Sequence, residues 1–263
     1  MLHLVPPLVS FLGHNKDWKK EAFHRLHTIC CGAAPLGAAA ATKLMDRLNI
    51  DGCILQEGFG MTESSPVSHM GPISNYKIGS CGELVSRTLA KIVDINTGEA
   101  LGPNQEGELC VFGPQVMKGY YNNEKATQET VDTEGWLHTG DIAIYDEDNQ
   151  FFIVDRLKEL IKVKGLQVAP SELEDLLRRH PAVLDVAVIG VEDEMAGELP
   201  RAYIVLKKNH AGTSTQEIRN FIAPQVAAHK QLKGGVVFID SIPTSATGKL
   251  LRRELKAQLS QYS

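Results

Sequence analysis

The sequence predicts an α/β fold in two parts, an α/β piece with β-rich structure after it and then a small α+β domain. Three observations carry this. Leu36, Ala40, Leu44 and Leu48 recur every four residues, which gives a helix one apolar face. Around that helix lie short strand-like runs punctuated by Gly71-Pro72, Gly102-Pro103 and Gly113-Pro114. Beyond Asp155-Arg156 the pattern changes to shorter alternating strand and helix units. With 263 residues the chain can bury a full core as one large domain or two, and the change of pattern divides it into 1–155 and 156–263.

In order along the chain, strands are predicted at His27–Cys31 and Cys53–Gln56, either side of the Leu36–Leu48 helix, then at Ala90–Ile95 and Glu108–Phe112. Ile142–Tyr145 and Gln150–Val154 flank the polar run Asp146-Glu147-Asp148-Asn149 and predict a hairpin. In the second part a helix is predicted over Ser171–His180, with Leu173, Leu176 and Leu177 on one face. Pro170 suits its start, where a backbone N–H has no partner to lose. Strands at Asp185–Gly190 and Arg201–Leu206, a helix around Gln216–Ala228, a strand at Val236–Ile239 and a last helix from Leu250 complete the series. Pro224 cannot continue a helical hydrogen-bond ladder, so its helix is expected to kink or end early.

Composition narrows the function. Against 32 Asp+Glu the 27 Lys+Arg leave a net charge of −5, which supplies no basic field for a phosphate backbone and argues against nucleic-acid binding. The start, Met-Leu-His-Leu-Val-Pro-Pro, has no cationic n-region, and no apolar run is long enough to span a bilayer, so neither a signal peptide nor a membrane span is expected. Cys30, Cys31, Cys53, Cys81 and Cys110 are odd in number and lack C-x-x-C spacing. They are read as reduced, buried thiols of an intracellular protein and not as a metal site. The final Gln-Tyr-Ser is not a Ser-Lys-Leu address, and the compartment expected is cytoplasmic or peroxisomal.

Several segments carry chemistry. Pro243-Thr-Ser-Ala-Thr-Gly-Lys249-Leu250 fails as a Walker A loop, which needs glycine at Pro243 and Ser or Thr at Leu250; what remains is a Ser/Thr/Gly turn presenting Lys249 ahead of a helix. In Ile161-Lys162-Val163-Lys164 the lysines alternate with apolar residues, so a strand would set both ammonium groups on one face, close to Lys158 and Arg156. Gly165 then lets the backbone approach a ligand. In Glu57-Gly-Phe-Gly-Met-Thr-Glu63 an aromatic ring, a hydroxyl and a carboxylate could stack a base, touch a phosphate and hold Mg²⁺ through a hard oxygen. Glu63 occupies the third glycine position of the dinucleotide fingerprint, which is therefore rejected. Asp141, closing Gly135-Trp-Leu-His-Thr-Gly-Asp141, could accept hydrogen bonds from ribose hydroxyls.

Taken in order with Gly32-Ala-Ala-Pro-Leu-Gly37 and Val154-Asp-Arg-Leu-Lys-Glu-Leu-Ile-Lys-Val-Lys-Gly165, these segments resemble the adenylate-forming (AMP-binding) acyl-CoA ligase family, nearest its 4-coumarate:CoA ligase and luciferase branch. The resemblance spans nearly the whole chain. It implies that residues 1–155 are the C-terminal part of the large adenylation domain and 156–263 the small mobile domain. It also implies an ATP-dependent acid–thiol ligase that joins a small carboxylic acid to coenzyme A through an acyl-adenylate, with ATP, Mg²⁺ and coenzyme A as co-substrates.

By that resemblance Ala34, Pro35, Gly58 and Phe59 enclose adenine, Thr62 touches the α-phosphate, Glu63 holds Mg²⁺, and Asp141 with Arg156 binds the ribose. Glu57, Lys158 and Lys162 join the ATP- and AMP-binding set. Lys249 bridges carboxylate and phosphate during adenylation; rotation at Asp155-Arg156 then withdraws it and brings Lys162, Lys164 and Gly165 to the thioester step, Lys164 and Gly165 meeting coenzyme A. The chain also departs from the pattern. The upstream Ser/Thr/Gly-rich loop ending in Pro-Lys-Gly is absent from these 263 residues, Glu57 stands where plant relatives often have Gln, and Phe59 where many have Tyr. A C-terminal portion of a ligase is therefore expected, the alternatives being a non-catalytic remnant that binds adenylate weakly or a luciferase-like oxygenase.

Overall fold

Parallel pairing of β1 (Leu2–Leu4), β2 (Thr28–Cys31) and β3 (Ile54–Gly60) starts the chain, with Leu4, Cys31 and Glu57 in register across the three strands. The computed structural model describes residues 1–15, 17–34, 36–245 and 250–259, and divides between Ile153 and Val154 into two compact units.

In the first unit α1 (Pro6–His14) and α2 (Ala38–Leu48) cover the parallel strands. Ala41, Leu44 and Leu48 of α2 are buried with Val9, Ile29 and Leu55, which is the apolar face that the four-residue spacing predicts. Asn49 ends α2 in the left-handed conformation that a C-terminal cap favours. β3 runs past the expected Gln56 through Gly60, and pairs on its far side with β4 (Val67–Met70) and then β5 (Glu83–Leu84), both antiparallel. Glycine is required at position 60, because a Cβ there would lie 1.7 Å from the Pro66 carbonyl oxygen.

A second sheet, in the order β10-β9-β8-β6-β7, is built from β6 (Leu89–Val93), β7 (Ala100–Leu101), β8 (Gly107–Phe112), β9 (Leu137–Tyr145) and β10 (Phe151–Arg156), with α3 (Glu124–Thr130) before β9. Alternation sorts β8: Leu109 and Val111 enter the core with Ile92 and Phe151, leaving Glu108 and Cys110 on the other face. β9 and β10 form the hairpin expected around Asp146–Asn149. The division between units falls inside β10, two residues before the expected Asp155-Arg156 boundary.

The second unit orders its sheet β12-β11-β14-β13, with β15 parallel on β14. Its elements are β11 (Ile161–Val163), β12 (Leu166–Val168), α4 (Pro170–Arg178), β13 (Val183–Asp193), β14 (Gly197–Leu206), α5 (Thr215–Ile222), β15 (Gly235–Phe238) and α6 (Arg252–Leu259). Leu173 and Leu177 of α4 and Ile218 of α5 pack on Val186, Val188 and Ile204. α5 stops at Ile222, two residues before Pro224, and a 3-10 turn over Ala223–Gln225 follows. Among the described residues no helix is long and apolar enough to cross a membrane.

Candidate functional site

The parallel strands place two of the motif segments side by side. Cys31 and Glu57 are paired, so the loop that leaves β2 at Gly32 and the end of β3 at Gly58 adjoin at the carboxyl edge of the sheet, where open α/β sheets bind ligands. The Leu36 N–H reaches Glu57 Oε2 at 3.3 Å, which ties the first loop to the second strand. Ala34 is half-buried in that loop; Pro35 lies outside the described residues.

Glu57 itself is turned inward. It is 7 % exposed, and its carboxylate accepts from the Tyr76 hydroxyl at 2.5 Å and the Gly79 N–H at 3.2 Å as well as from Leu36. Burial raises its pKa above the ordinary carboxylate range, and the hydrogen bonds from Tyr76, Gly79 and Leu36 pull the other way. Tyr76 carried no signal in the sequence, being a lone tyrosine in a loop. Phe59 is half-buried against His69 in an edge-on ring contact with centroids 5.8 Å apart.

Beyond Gly60 the chain enters a 3-10 turn, Thr62–Ser64, that Ser64 closes with its own side chain: Ser64 Oγ accepts from the Met61 N–H and donates to Pro66 O at 2.9 Å. The turn leaves the Thr62 hydroxyl exposed and Glu63 half-buried. Glu63 is held twice, by the Met117 N–H on its carbonyl at 2.8 Å and by the Tyr120 hydroxyl on Oε1 at 2.6 Å. A carboxylate supplies hard oxygen donors of the kind Mg²⁺ takes. Asp141 sits on β9 and is 6 % exposed, its N–H bonded to Thr139 Oγ1 at 3.1 Å.

In the second unit Arg156 and Lys158 are exposed at the end of β10 and in the 3-10 turn after it. Asp155 is buried and caps α4 from a distance, accepting the Ser171 N–H at 2.9 Å on Oδ2, while the Ser171 hydroxyl donates to Val154 O at 2.5 Å. That role could not be read from a motif in which Asp155 merely precedes Arg156.

The expectation that Lys162 and Lys164 share one strand face is corrected. β11 ends at Val163, and Lys164-Gly165 form the two central residues of a hairpin turn with φ of 51° and 79°, Val163 pairing with Leu166 across it. Two successive positive φ values define the hairpin turn whose twist matches its strands, and glycine meets that demand at no steric cost. Lys162 therefore projects from the strand and Lys164 from the turn tip, both exposed. Lys249 lies outside the described residues. The segment after it is fixed by a pair that sequence reading missed: the Arg252 Nη2 donates to Glu174 Oε1 at 2.7 Å, and Glu174, 4 % exposed, also accepts the Val188 N–H.

The chain is similar to known proteins along most of its length. Residues 1–121 match the model of the AMP-binding enzyme family, and residues 172–249 that of the AMP-binding enzyme C-terminal domain. Luciferin 4-monooxygenase of Photinus pyralis is 46% identical over 96% of this chain and 46% of its own length. 4-Coumarate–CoA ligase 1 of Glycine max is 45% identical over 98% of this chain and 88% of its own. ATP-bound MatB from Rhodopseudomonas palustris superposes with a TM-score of 0.91 at 27% identity, over 99% of this chain and 51% of that one. The chain thus spans about half the length of the monooxygenase and of MatB. On these matches the chain belongs to the AMP-binding enzyme family, among the adenylate-forming relatives of the 4-coumarate–CoA ligases.

Proposed function

We propose that the chain carries the AMP-site and thioester-step residues of an acid–thiol ligase. In the first step a carboxylate oxygen of the acid attacks the α-phosphorus of ATP, and the bond to diphosphate breaks to leave an acyl-adenylate. In the second the thiolate of coenzyme A attacks the acyl carbon and AMP departs, giving the thioester. The observation that supports this best is the meeting of the β2 loop and the Gly58–Glu63 segment at the carboxyl edge of parallel strands, with the exposed Thr62 next to a Glu63 carboxylate that Tyr120 fixes.

On this reading Ala34, Gly58 and Phe59 border the adenine, the Thr62 hydroxyl contacts the α-phosphate, and Asp141 takes ribose hydroxyls. Glu63 would hold Mg²⁺, which when bound neutralises phosphate charge and orients the leaving diphosphate. Lys249 serves adenylation and Lys164 the thioester step, both by placing positive charge where negative charge develops. The 46% identity to luciferin 4-monooxygenase favours a second reading, a luciferase-like oxygenase, which shares adenylation and differs in the fate of the adenylate.

The test is to express the sequence extended to the length of its relatives and assay ATP–diphosphate exchange across a panel of small carboxylic acids, then AMP and thioester formation on adding coenzyme A. Acid-dependent exchange followed by coenzyme A-dependent thioester supports the ligase. Exchange with light emission and no thioester supports the oxygenase, and absence of exchange with every acid overturns both.

A further inference from the structure

The outward face of β8 and β9 gathers groups that the adenylation reading does not use. Cys110 on β8 pairs with His138 on β9, and Glu108 lies two residues before Cys110 on the same face. Cys110 Sγ stands 3.6 Å from His138 Nδ1, and Nδ1 stands 2.8 Å from Glu108 Oε2; the three donor atoms all fall within 4.8 Å of one another. We propose that Glu108, Cys110 and His138 form a binding site for a thiophilic divalent cation, Zn²⁺ above all, with water as the fourth ligand.

The geometry suits that ion. A tetrahedral centre with a sulfur at about 2.3 Å and an imidazole nitrogen at about 2.05 Å sets those two atoms roughly 3.6 Å apart. The Nδ1 to Oε2 separation has only to open by about half an ångström to reach the corresponding nitrogen–oxygen spacing. The donor set of thiolate, imidazole and carboxylate is one that Zn²⁺ takes and Mg²⁺ does not. Behind the imidazole, Asp132 Oδ2 lies 3.7 Å from His138 Nε2, and its other oxygen is fixed by the Trp136 and Glu134 N–H groups at 2.8 and 2.9 Å. Without the ion Nδ1 donates its proton to Glu108; when an ion takes the Nδ1 lone pair the ring proton shifts to Nε2, on the side where the Asp132 carboxylate can close in to accept it.

Glu108 is anchored as well, its Oε1 accepting the Gly140 N–H at 3.1 Å. The nearby cation, Lys91, has its ammonium 4.4 Å over the Trp136 ring. Cys110 is fully buried while the His138 side chain is 35 % exposed, so an ion would enter from the imidazole side. Binding converts the thiol to a thiolate, whose proton leaves to solvent, and displaces the Nδ1 proton to Nε2 or to solvent.

Titration of the metal-free chain with Co²⁺ tests this. A one-to-one complex is expected, with a thiolate-to-cobalt charge-transfer band in the near ultraviolet and visible bands of tetrahedral coordination, both abolished by Zn²⁺. Cys110→Ser, His138→Gln and Glu108→Gln should remove or weaken the bands, Asp132→Asn should lower affinity by about 10- to 100-fold, and Cys53→Ser should leave them unchanged. Thermal melts without metal establish that each variant folds. X-ray absorption of the Zn²⁺ complex of the unaltered chain, expected to show one sulfur and otherwise nitrogen or oxygen neighbours, covers a variant that does not fold. Absence of Co²⁺ binding, bands that survive Cys110→Ser, or a zinc shell without sulfur would overturn the proposal.

Discussion

The phenol of Tyr120 donates a 2.6 Å hydrogen bond to Glu63 Oε1, across 57 positions of sequence. The bond links the segment before α3 to the turn after β3 and fixes the carboxylate proposed to meet Mg²⁺. Because Tyr120 is itself exposed, its contribution to folding is small, and its main effect falls on the aim of Glu63. In the protein extended to the length of its relatives Tyr120→Phe is expected to leave stability within about 1.5 kcal/mol. It should raise the Mg²⁺ concentration needed for half-maximal adenylation by about two- to tenfold, the same energy read as a binding change. A Mg²⁺ titration that matches the unaltered protein would remove Glu63 from the metal site or Tyr120 from its support.

Glu57 imposes a pH dependence on the first unit. Burial raises its folded-state pKa above the unfolded value, so its contribution to stability is fully present below the unfolded pKa near 4.3 and is lost as pH rises through the folded value. Glu57→Gln, which cannot ionise, should flatten that limb in melts recorded from acid toward neutral pH. The variant also sets an amide beside the Leu36 N–H if the Tyr76 bond is kept, so a loss of roughly 1–3 kcal/mol is expected at the acid end. An unchanged slope would mean that the carboxylate is neutralised in some other way.

His69 acts with the opposite sign. It is fully buried, its Nε2 lacks a hydrogen-bond partner among the described residues, and burial pushes its pKa down to about 3. A depressed histidine gives stability that is present above its unfolded pKa near 6.5 and is lost as pH falls toward the folded value. His69→Phe keeps a ring against Phe59 and Phe151 and removes the orphan nitrogen. The variant should melt higher than the parent at pH 5 and show a shallower acid slope; a steeper slope would contradict the burial argument.

In the second unit Arg252 and Glu174 form an ion pair whose side chains are 15% and 5% exposed. Removing one partner strands the other charge in the interior. Arg252→Ala should cost about 3–5 kcal/mol in urea unfolding, while the double change Glu174→Gln, Arg252→Met should recover much of it. If the single change costs less than about 1 kcal/mol, Arg178, 3.7 Å from the second Glu174 oxygen, carries the compensation instead.

The elements that the sequence predicts best are those with a strong local period. α2 follows from Leu44 and Leu48, α4 from Leu173 and Leu177, and the early end of α5 from Pro224, since each signal acts within a few residues. Lys164 shows where such reasoning stops: alternation alone continues the strand, whereas the glycine after it permits the positive-φ turn that takes Lys164 off the Lys162 face. The partners that fix the candidate site were illegible for a different reason. Tyr76 with Glu57, Tyr120 with Glu63, and Arg252 with Glu174 are separated by 19, 57 and 78 residues, and such pairing is created by the fold and not by any local pattern.

Lys249 and Lys164 of one chain are proposed to serve two chemical steps, adenylation and thioester formation. The most direct measurement of this division compares both half-reactions for Lys249→Ala in the protein extended to the length of its relatives. Adenylation, followed as acid-dependent ATP–diphosphate exchange, should fall by about 10²- to 10³-fold, as when one charge-stabilising donor is removed at a transition state. Thioester formation from supplied acyl-adenylate and coenzyme A should stay within about threefold of the unaltered protein, a change of less than about 0.7 kcal/mol in barrier. Equal losses in both half-reactions, or an unchanged exchange rate, would contradict the account.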